Sequence, residues 1–314
     1  MKRTVAVLNS LIAPLVEDRL PEWLDARWFR SADELYALAP QAEIGWFDSF
    51  ELDATYKAAG LASGLKWLNT LAAGVDPFPL DLLRQRGVVL TNGAGLNAIT
   101  IAEYAVMGML VIAKGYREVT RAQERHEWLT TAPGTVELFG TRALIVGAGG
   151  IGGRIGELLR PWGVEVTEVR RRPAPGVLTT SEWREKLSEF DWVIVAVPAT
   201  PDTDKMIGAA ELAAMKPSAS LLNFARGGVV DQDALVPALR DKRIAAAFLD
   251  VTDPEPLPAD HPLWSLDNCH ISMHLSGRSQ DTLFRRSAER FLDNLERFGR
   301  GEPLEHAVDL NLGY

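Results

Sequence analysis

The chain has 314 residues, room for about two domains of ~100–200 residues each. Its 47 % hydrophobic and 24 % charged residues exclude disordered, collagen-like and low-complexity classes. The net charge of −9 argues against a nucleic-acid surface, and it requires that an anionic ligand be drawn in by local cations.

The N-terminal apolar stretch is interrupted by Asn9, Ser10 and Pro14 and soon meets Glu17 and Asp18. It reads as a buried strand and its loop rather than a signal peptide. No run approaches the roughly 18 apolar residues of a membrane span, so no membrane contact is predicted. The single cysteine, Cys269, permits no intrachain disulfide and points to a reducing, cytoplasmic compartment.

Strands are predicted over residues 4–8, 43–47, 65–69, 88–91, 142–146, 164–169, 192–197, 219–223, 245–250 and 269–273. Several are apolar on both faces, as parallel strands covered by helices must be. Residues 98–119 read as one long, largely buried helix, and 120–139 as a polar excursion containing Trp128. A final amphipathic helix runs from about Gln280 to Phe298, with Leu283, Phe284, Ala288, Phe291, Leu292 and Leu295 at helical spacing. The fold class expected is α/β, with two Rossmann-like, doubly wound parallel-sheet domains and a cleft between them. Residues 1–93 plus 280–314 would form the substrate domain, and 94–279 the dinucleotide-binding domain.

The sharpest local signal is Gly147-Ala148-Gly149-Gly150-Ile151-Gly152, placed after an apolar strand and opening a helix. Gly147 would make the tight turn, Gly149 would admit a pyrophosphate, and Gly152 would let helix and strand pack closely. The helix start offers free N–H groups to the phosphates. The next strand ends in Arg170-Arg171-Arg172. Its one acidic candidate, Glu168, lies two residues before the strand end, so Arg170 takes the place where a carboxylate would bond a ribose hydroxyl. NADP is therefore preferred, with NAD as the alternative.

Three later segments follow strands of the same half and bring one arginine, one glutamate and one histidine to the carboxyl ends of the sheet: Arg226, Glu255 and His274. Reduction of a 2-oxo acid needs these types. Arginine pairs with the carboxylate in a bidentate fork. Histidine, titrating as a residue type near ~6.5, can hand a proton to the ketone oxygen. Glutamate favours the protonated imidazole and fixes its orientation. His270 and His274 would lie about 13 Å apart along a strand, too far to share a zinc, and no metal is predicted.

With these residues the sequence resembles the D-isomer-specific 2-hydroxyacid dehydrogenases. The likeness runs over most of the chain, through Leu65 to Asp76, Thr91-Asn92, Ala102-Glu103, the Gly147 fingerprint, Val197 to Thr203, the Arg226 motif, Asp250 to Pro258, Pro262 to Trp264 and His274. It implies that Arg226 binds the substrate carboxylate, that His274 is the acid/base and that Glu255 is its partner. The N–H groups of Ala73 and Gly74 would help hold the carboxylate. Val197, Pro198, Thr203 and Ala225 would border the dinucleotide, and Asp250 would contact the nicotinamide amide. The arginine run and the length are most similar to NADP-preferring glyoxylate and hydroxypyruvate reductases. In such enzymes Trp46 could sit over the substrate, although a place in the core is equally compatible with its position at the end of an apolar strand. His126 and Trp128 fall where relatives reach across to a second subunit, which implies a homodimer.

The chain departs from the family at Met273, where proline is usual, and at Ser276, where alanine or glycine is usual. Ser276 could add a hydrogen bond to substrate. The expected activity is reduction of a small 2-oxo acid to the D-2-hydroxy acid by NAD(P)H. A dinucleotide-sensing binding module or corepressor of the same fold is the alternative.

Overall fold

The computed structural model describes residues 3–49, 51–171, 176–279 and 281–313. The chain divides into two compact units, Met1–Asn97 with Ser279–Tyr314, and Ala98–Arg278.

The first unit holds five parallel strands: β1 (Thr4–Asn9), β2 (Leu24–Phe29), β3 (Ile44–Trp46), β4 (Trp67–Asn69) and β5 (Val89–Thr91), in the order β2-β1-β3-β4-β5. Period-2 alternation sends Val7, Leu68 and Leu90 to one face and Ala6, Leu8, Ile44, Trp46 and Trp67 to the other. The second face is covered by the helix Asp281–Arg300 through Phe291, Leu292 and Leu295. Phe291 lies 5.0 Å from the Trp67 ring, and the Trp67 indole N–H donates to Thr91 Oγ1 at 2.8 Å. The buried indole thus keeps a partner for its one polar atom.

The second unit holds seven parallel strands: β6 (Arg142–Val146), β7 (Glu165–Val169), β8 (Val177–Leu178), β9 (Trp192–Val195), β10 (Ser220–Asn223), β11 (Ala246–Leu249) and β12 (Cys269–Ile271). Their order is β12-β11-β10-β9-β6-β7-β8. The central strands are buried on both faces, which is why they read as continuous apolar runs. Order reverses beside β6, where the helix Gly150–Leu159 follows the strand, so the glycine motif sits at the switch point of the sheet. Two parallel-sheet α/β units are thus present, as the strand and helix pattern predicts.

Three readings are corrected. Strand β2 is absent from the sequence expectation because Leu-Asp-Ala-Arg-Trp-Phe carries two charges and is only half-buried at the sheet edge. The two-residue β8 is likewise an edge strand. The long helix is two helices, Ala98–Ala113 and Tyr116–Glu124, bent by 71°. Gly115 makes the break: its φ is +59°, and a Cβ there would fall 2.8 Å from the Pro133 backbone. After the bend, Arg117 donates to the carbonyls of Leu266, Asp267 and Cys269 at 3.1, 3.3 and 2.6 Å. Among the described residues no single helix is long and apolar enough to cross a membrane.

Candidate active site

The strand β6 ends at Val146, and the chain then turns through Gly147 with φ +98°. A Cβ on Gly147 would lie 2.6 Å from the Ala196 carbonyl oxygen, and one on Gly152 would lie 2.2 Å from the Gly147 oxygen. Both positions are closed to any side chain by backbone. A Cβ on Gly149 would instead meet nothing within 4 Å, so its surface is open. The helix Gly150–Leu159 begins with no side-chain cap and no acidic residue in its first turn. Its first N–H groups, including those of Gly150, Ile151 and Gly152, are available to an anion. A closed turn beside open, uncapped N–H groups fits a dinucleotide pyrophosphate.

Val197 follows β9 and abuts this turn, its Cγ1 2.7 Å from where a Gly147 Cβ would be. The loop after it is closed by Thr203, whose hydroxyl donates to the Pro198 carbonyl at 2.7 Å. Thr203 is 7 % exposed, so its side chain shapes the loop rather than offering itself to a ligand. At the end of β7, Glu168 is buried, with Arg160 and Arg170 each 2.7 Å from one of its oxygens. Burial pushes the Glu168 carboxyl up, but the two guanidinium hydrogen bonds together hold it below the usual range. Arg170 is thereby held at the strand end, with Arg171 exposed beside it. Arg172 lies outside the described residues.

Arg226 follows β10. Asn223 braces its loop, accepting the Ala225 N–H and donating to the Arg226 carbonyl, both at 3.0 Å. Ala225 is buried beneath, and Arg226 Nη1 donates to its carbonyl at 2.9 Å. The next residue, Gly227, lies so near the Thr252 carbonyl that a Cβ would stand 2.0 Å from it. This close approach brings the arginine loop against the loop after β11. There Glu255 Oε1 accepts the Thr252 N–H at 3.1 Å, while Glu255 Oε2 pairs with His274 Nδ1 at 2.8 Å. Gln232 Oε1 accepts the Asp253 N–H at 3.1 Å and ties the same loop down. His274 comes after β12, and its Nε2 makes no hydrogen bond among the described residues. The unit therefore brings Glu255 and His274 into contact and packs the Glu255 loop on that of Arg226. His274 is not on a strand, because β12 ends at Ile271, so the strand spacing expected between it and His270 does not apply.

In the first unit, Asp48 follows β3 and organises the loop after β4. Its Oδ1 accepts the Thr70 hydroxyl at 2.7 Å, and its Oδ2 accepts the Leu71 N–H at 3.0 Å. Thr70 Oγ1 in turn accepts the Ala72 N–H at 3.1 Å, and Asn92 donates to the Ala73 carbonyl at 2.7 Å. The N–H groups of Ala73 and Gly74 make no hydrogen bond among the described residues. Burial pushes the Asp48 carboxyl up to about 6, against the opposing bonds from Thr70 and Leu71. Its folded value lies above the ordinary 3.8, so the folded chain binds more protons between pH ~4 and ~6 and stability falls as pH rises through that window. Asp48→Asn is expected to melt higher than the parent at pH 7.5 and alongside it at pH 4. Parallel melting curves at both pH values would contradict this.

Two residue expectations are corrected. Trp46 is fully buried, with its ring centroid 4.9 Å from that of Phe291, so it is a core residue and lines no ligand surface. Ser276 is 1 % exposed and donates both its N–H (3.1 Å) and its hydroxyl to the Asp250 carboxylate, so it faces Asp250 rather than a substrate. Asp250 also accepts the Ser272 hydroxyl at 2.7 Å and is 3 % exposed. Asp48, Ser272 and Gln232 were missed by residue patterning. Only Asp48 carried a signal, a carboxylate directly after an apolar parallel strand.

The profile of the "D-isomer specific 2-hydroxyacid dehydrogenase, NAD binding domain" matches residues 106–276. A glyoxylate reductase/hydroxypyruvate reductase of Homo sapiens is 33 % identical over 265 residues, covering 81 % of this chain and 79 % of that one. Among solved structures, a D-isomer specific 2-hydroxyacid dehydrogenase family protein of Aeromonas salmonicida superposes with TM-score 0.86 at 28 % identity, covering 99 % and 100 % of the two chains. A second, from Xanthobacter autotrophicus in complex with NADPH and MES, gives TM-score 0.79 at 26 % identity over the full length of both. A matched glycine cradle, a seven-stranded parallel sheet and this span of relatives place the chain in the D-isomer-specific 2-hydroxyacid dehydrogenase family, as an NAD(P)-dependent oxidoreductase.

Proposed function

We propose that the enzyme reduces a small 2-oxo acid of the glyoxylate or hydroxypyruvate type to the D-2-hydroxy acid, preferring NADPH. The observation that carries the reading is the Glu255–His274 pair at 2.8 Å, with the Glu255 loop packed against that of Arg226. The reduced nicotinamide, when bound, supplies the hydride. Arg226 holds the substrate carboxylate by its planar fork. His274 Nε2 delivers the proton to the ketone oxygen, while Glu255 at Nδ1 fixes the ring. Ala73 and Gly74 N–H groups are the anion donors that the first unit offers. Asp48 keeps that loop in shape, and in this reading the first unit is the substrate domain and the second the dinucleotide domain. The substrate class is supported by the name of the human relative, and NADPH by the ligand of the Xanthobacter structure.

The test follows oxidation of NADPH and of NADH with glyoxylate, hydroxypyruvate and phenylpyruvate. Turnover is expected with the first two acids, at lower KM for NADPH. Arg170→Ser should raise the KM for NADPH by about 10- to 100-fold, the loss of one charged hydrogen-bonding partner, and leave that for NADH near its parent value. Equal response to both dinucleotides removes the 2′-phosphate reading.

A second copy of the chain is the proposed partner, in a reducing, cytoplasmic setting. Trp128 is 93 % and Phe139 77 % exposed, unusual for aromatic rings of this size, and both lie in the segment expected to reach a neighbour. Light scattering on a sizing column should give twice the chain mass, and Trp128→Ser should shift it toward one. A single chain mass for the parent rules the dimer out.

A further inference from the structure

Met273 and His274 are consecutive non-glycine residues with left-handed backbone, φ 54° and 55°. That region disfavours L side chains, so such a turn persists only where its surroundings over-determine it. Asp250 makes four of the bonds that hold it. Its carbonyl accepts the His274 N–H at 2.5 Å. Its Oδ1 accepts the hydroxyl of Ser272 at 2.7 Å on one side of the turn, and the N–H of Ser276 at 3.1 Å on the other. Its Oδ2 accepts the Ser276 hydroxyl. Backbone bonds close the rest, from Ser272 N–H to Leu249 at 2.9 Å and from Leu275 N–H to Ser272 at 3.1 Å.

A carboxylate has about four acceptor sites, and three here are filled from within the chain. Asp250 and Ser276 are both nearly sealed from solvent. Their bonding is therefore directed at the turn.

We propose that Asp250 is a positioning residue which, through Ser272 and Ser276, clamps the turn that presents His274; this rests on His274 being the proton donor. A clamp needs acceptors in the right places, not a negative charge. Asparagine at 250 can keep Oδ1 on Ser272 and the Ser276 N–H while its amide donates to the Ser276 hydroxyl, which reverses its role. Alanine at 250, or at 276, removes the tie.

The test compares Ser276→Ala, Asp250→Asn and Asp250→Ala with the parent, reading kcat with glyoxylate against KM and fluorescence-measured Kd for NADPH. Misplacing an acid by a fraction of an ångström to 1 Å predicts a fall in kcat of about 10-fold for Ser276→Ala and up to about 100-fold for Asp250→Ala. Asp250→Asn should retain several-fold more kcat than Asp250→Ala, and Kd for NADPH should stay within about 2-fold of the parent in Ser276→Ala, which leaves the glycine cradle intact. If Ser276→Ala keeps full kcat, the clamp is wrong. If Asp250→Asn falls as far as Asp250→Ala with weakened NADPH binding, the charge serves the dinucleotide instead. His274→Gln measured in the same series separates the two failures: full turnover there removes the proton donor itself, whatever the clamp variants do.

Discussion

Replacing His274 with glutamine is expected to lower kcat by about 10²- to 10⁴-fold, the range that a positioned acid/base contributes. Glutamine roughly preserves the reach of the side chain and can still hydrogen-bond Glu255, so the loop should survive. What it lacks is a proton that leaves at working pH. The glycine cradle lies on other loops, so NADPH should bind the variant with near-parental Kd. A variant that keeps its rate would show that the proton comes from elsewhere, and the 2.8 Å pair with Glu255 would then be structural.

Arg226→Lys tests the second role and should be nearly as damaging. Lysine keeps the charge but offers a compact ammonium in place of a planar fork, and at a bidentate site that exchange is not conservative. Losing one or two charge-assisted hydrogen bonds, about 1.5–3 kcal/mol each, predicts a fall in kcat/KM of about 10²-fold or more. The loss should appear largely in KM for the oxo acid, with a further loss in kcat where the ketone is misaligned. The KM for NADPH is the internal control. Should that constant rise instead while the oxo-acid KM holds, Arg226 belongs to the dinucleotide, and the carboxylate must be sought on the Ala73–Gly74 loop.

The alternation of strand and helix was legible because parallel strands buried on both faces leave long apolar runs. Their carboxyl ends were not. The expected strands over 192–197, 245–250 and 269–273 stop at Val195, Leu249 and Ile271. The trimmed residues, among them Val197, Asp250 and Met273, look like strand because they are apolar or follow apolar residues, yet they begin the loops of the candidate site. Residue chemistry singled out Arg226, Glu255 and His274, and the second unit brings the last two into contact. The same chemistry named Ser276 but not its partner, which lies 26 positions away, nor its burial, which comes from the turn around it. Nor could it see the break at Gly115, because one glycine within an apolar helical pattern carries no sign until Pro133 and Gly134 press against it.

The bend at Gly115 also decides what happens at the rim of the second sheet. Strand β12 is an edge, with β11 on one side only. Asn268 turns its carbonyl inward to the Ala247 N–H, so the carbonyl of Cys269, one residue on, faces outward. Arg117 occupies that oxygen at 2.6 Å. A foreign strand seeking to extend the sheet there meets a guanidinium instead of a free acceptor at Cys269, which disfavours strand addition at that point of the rim.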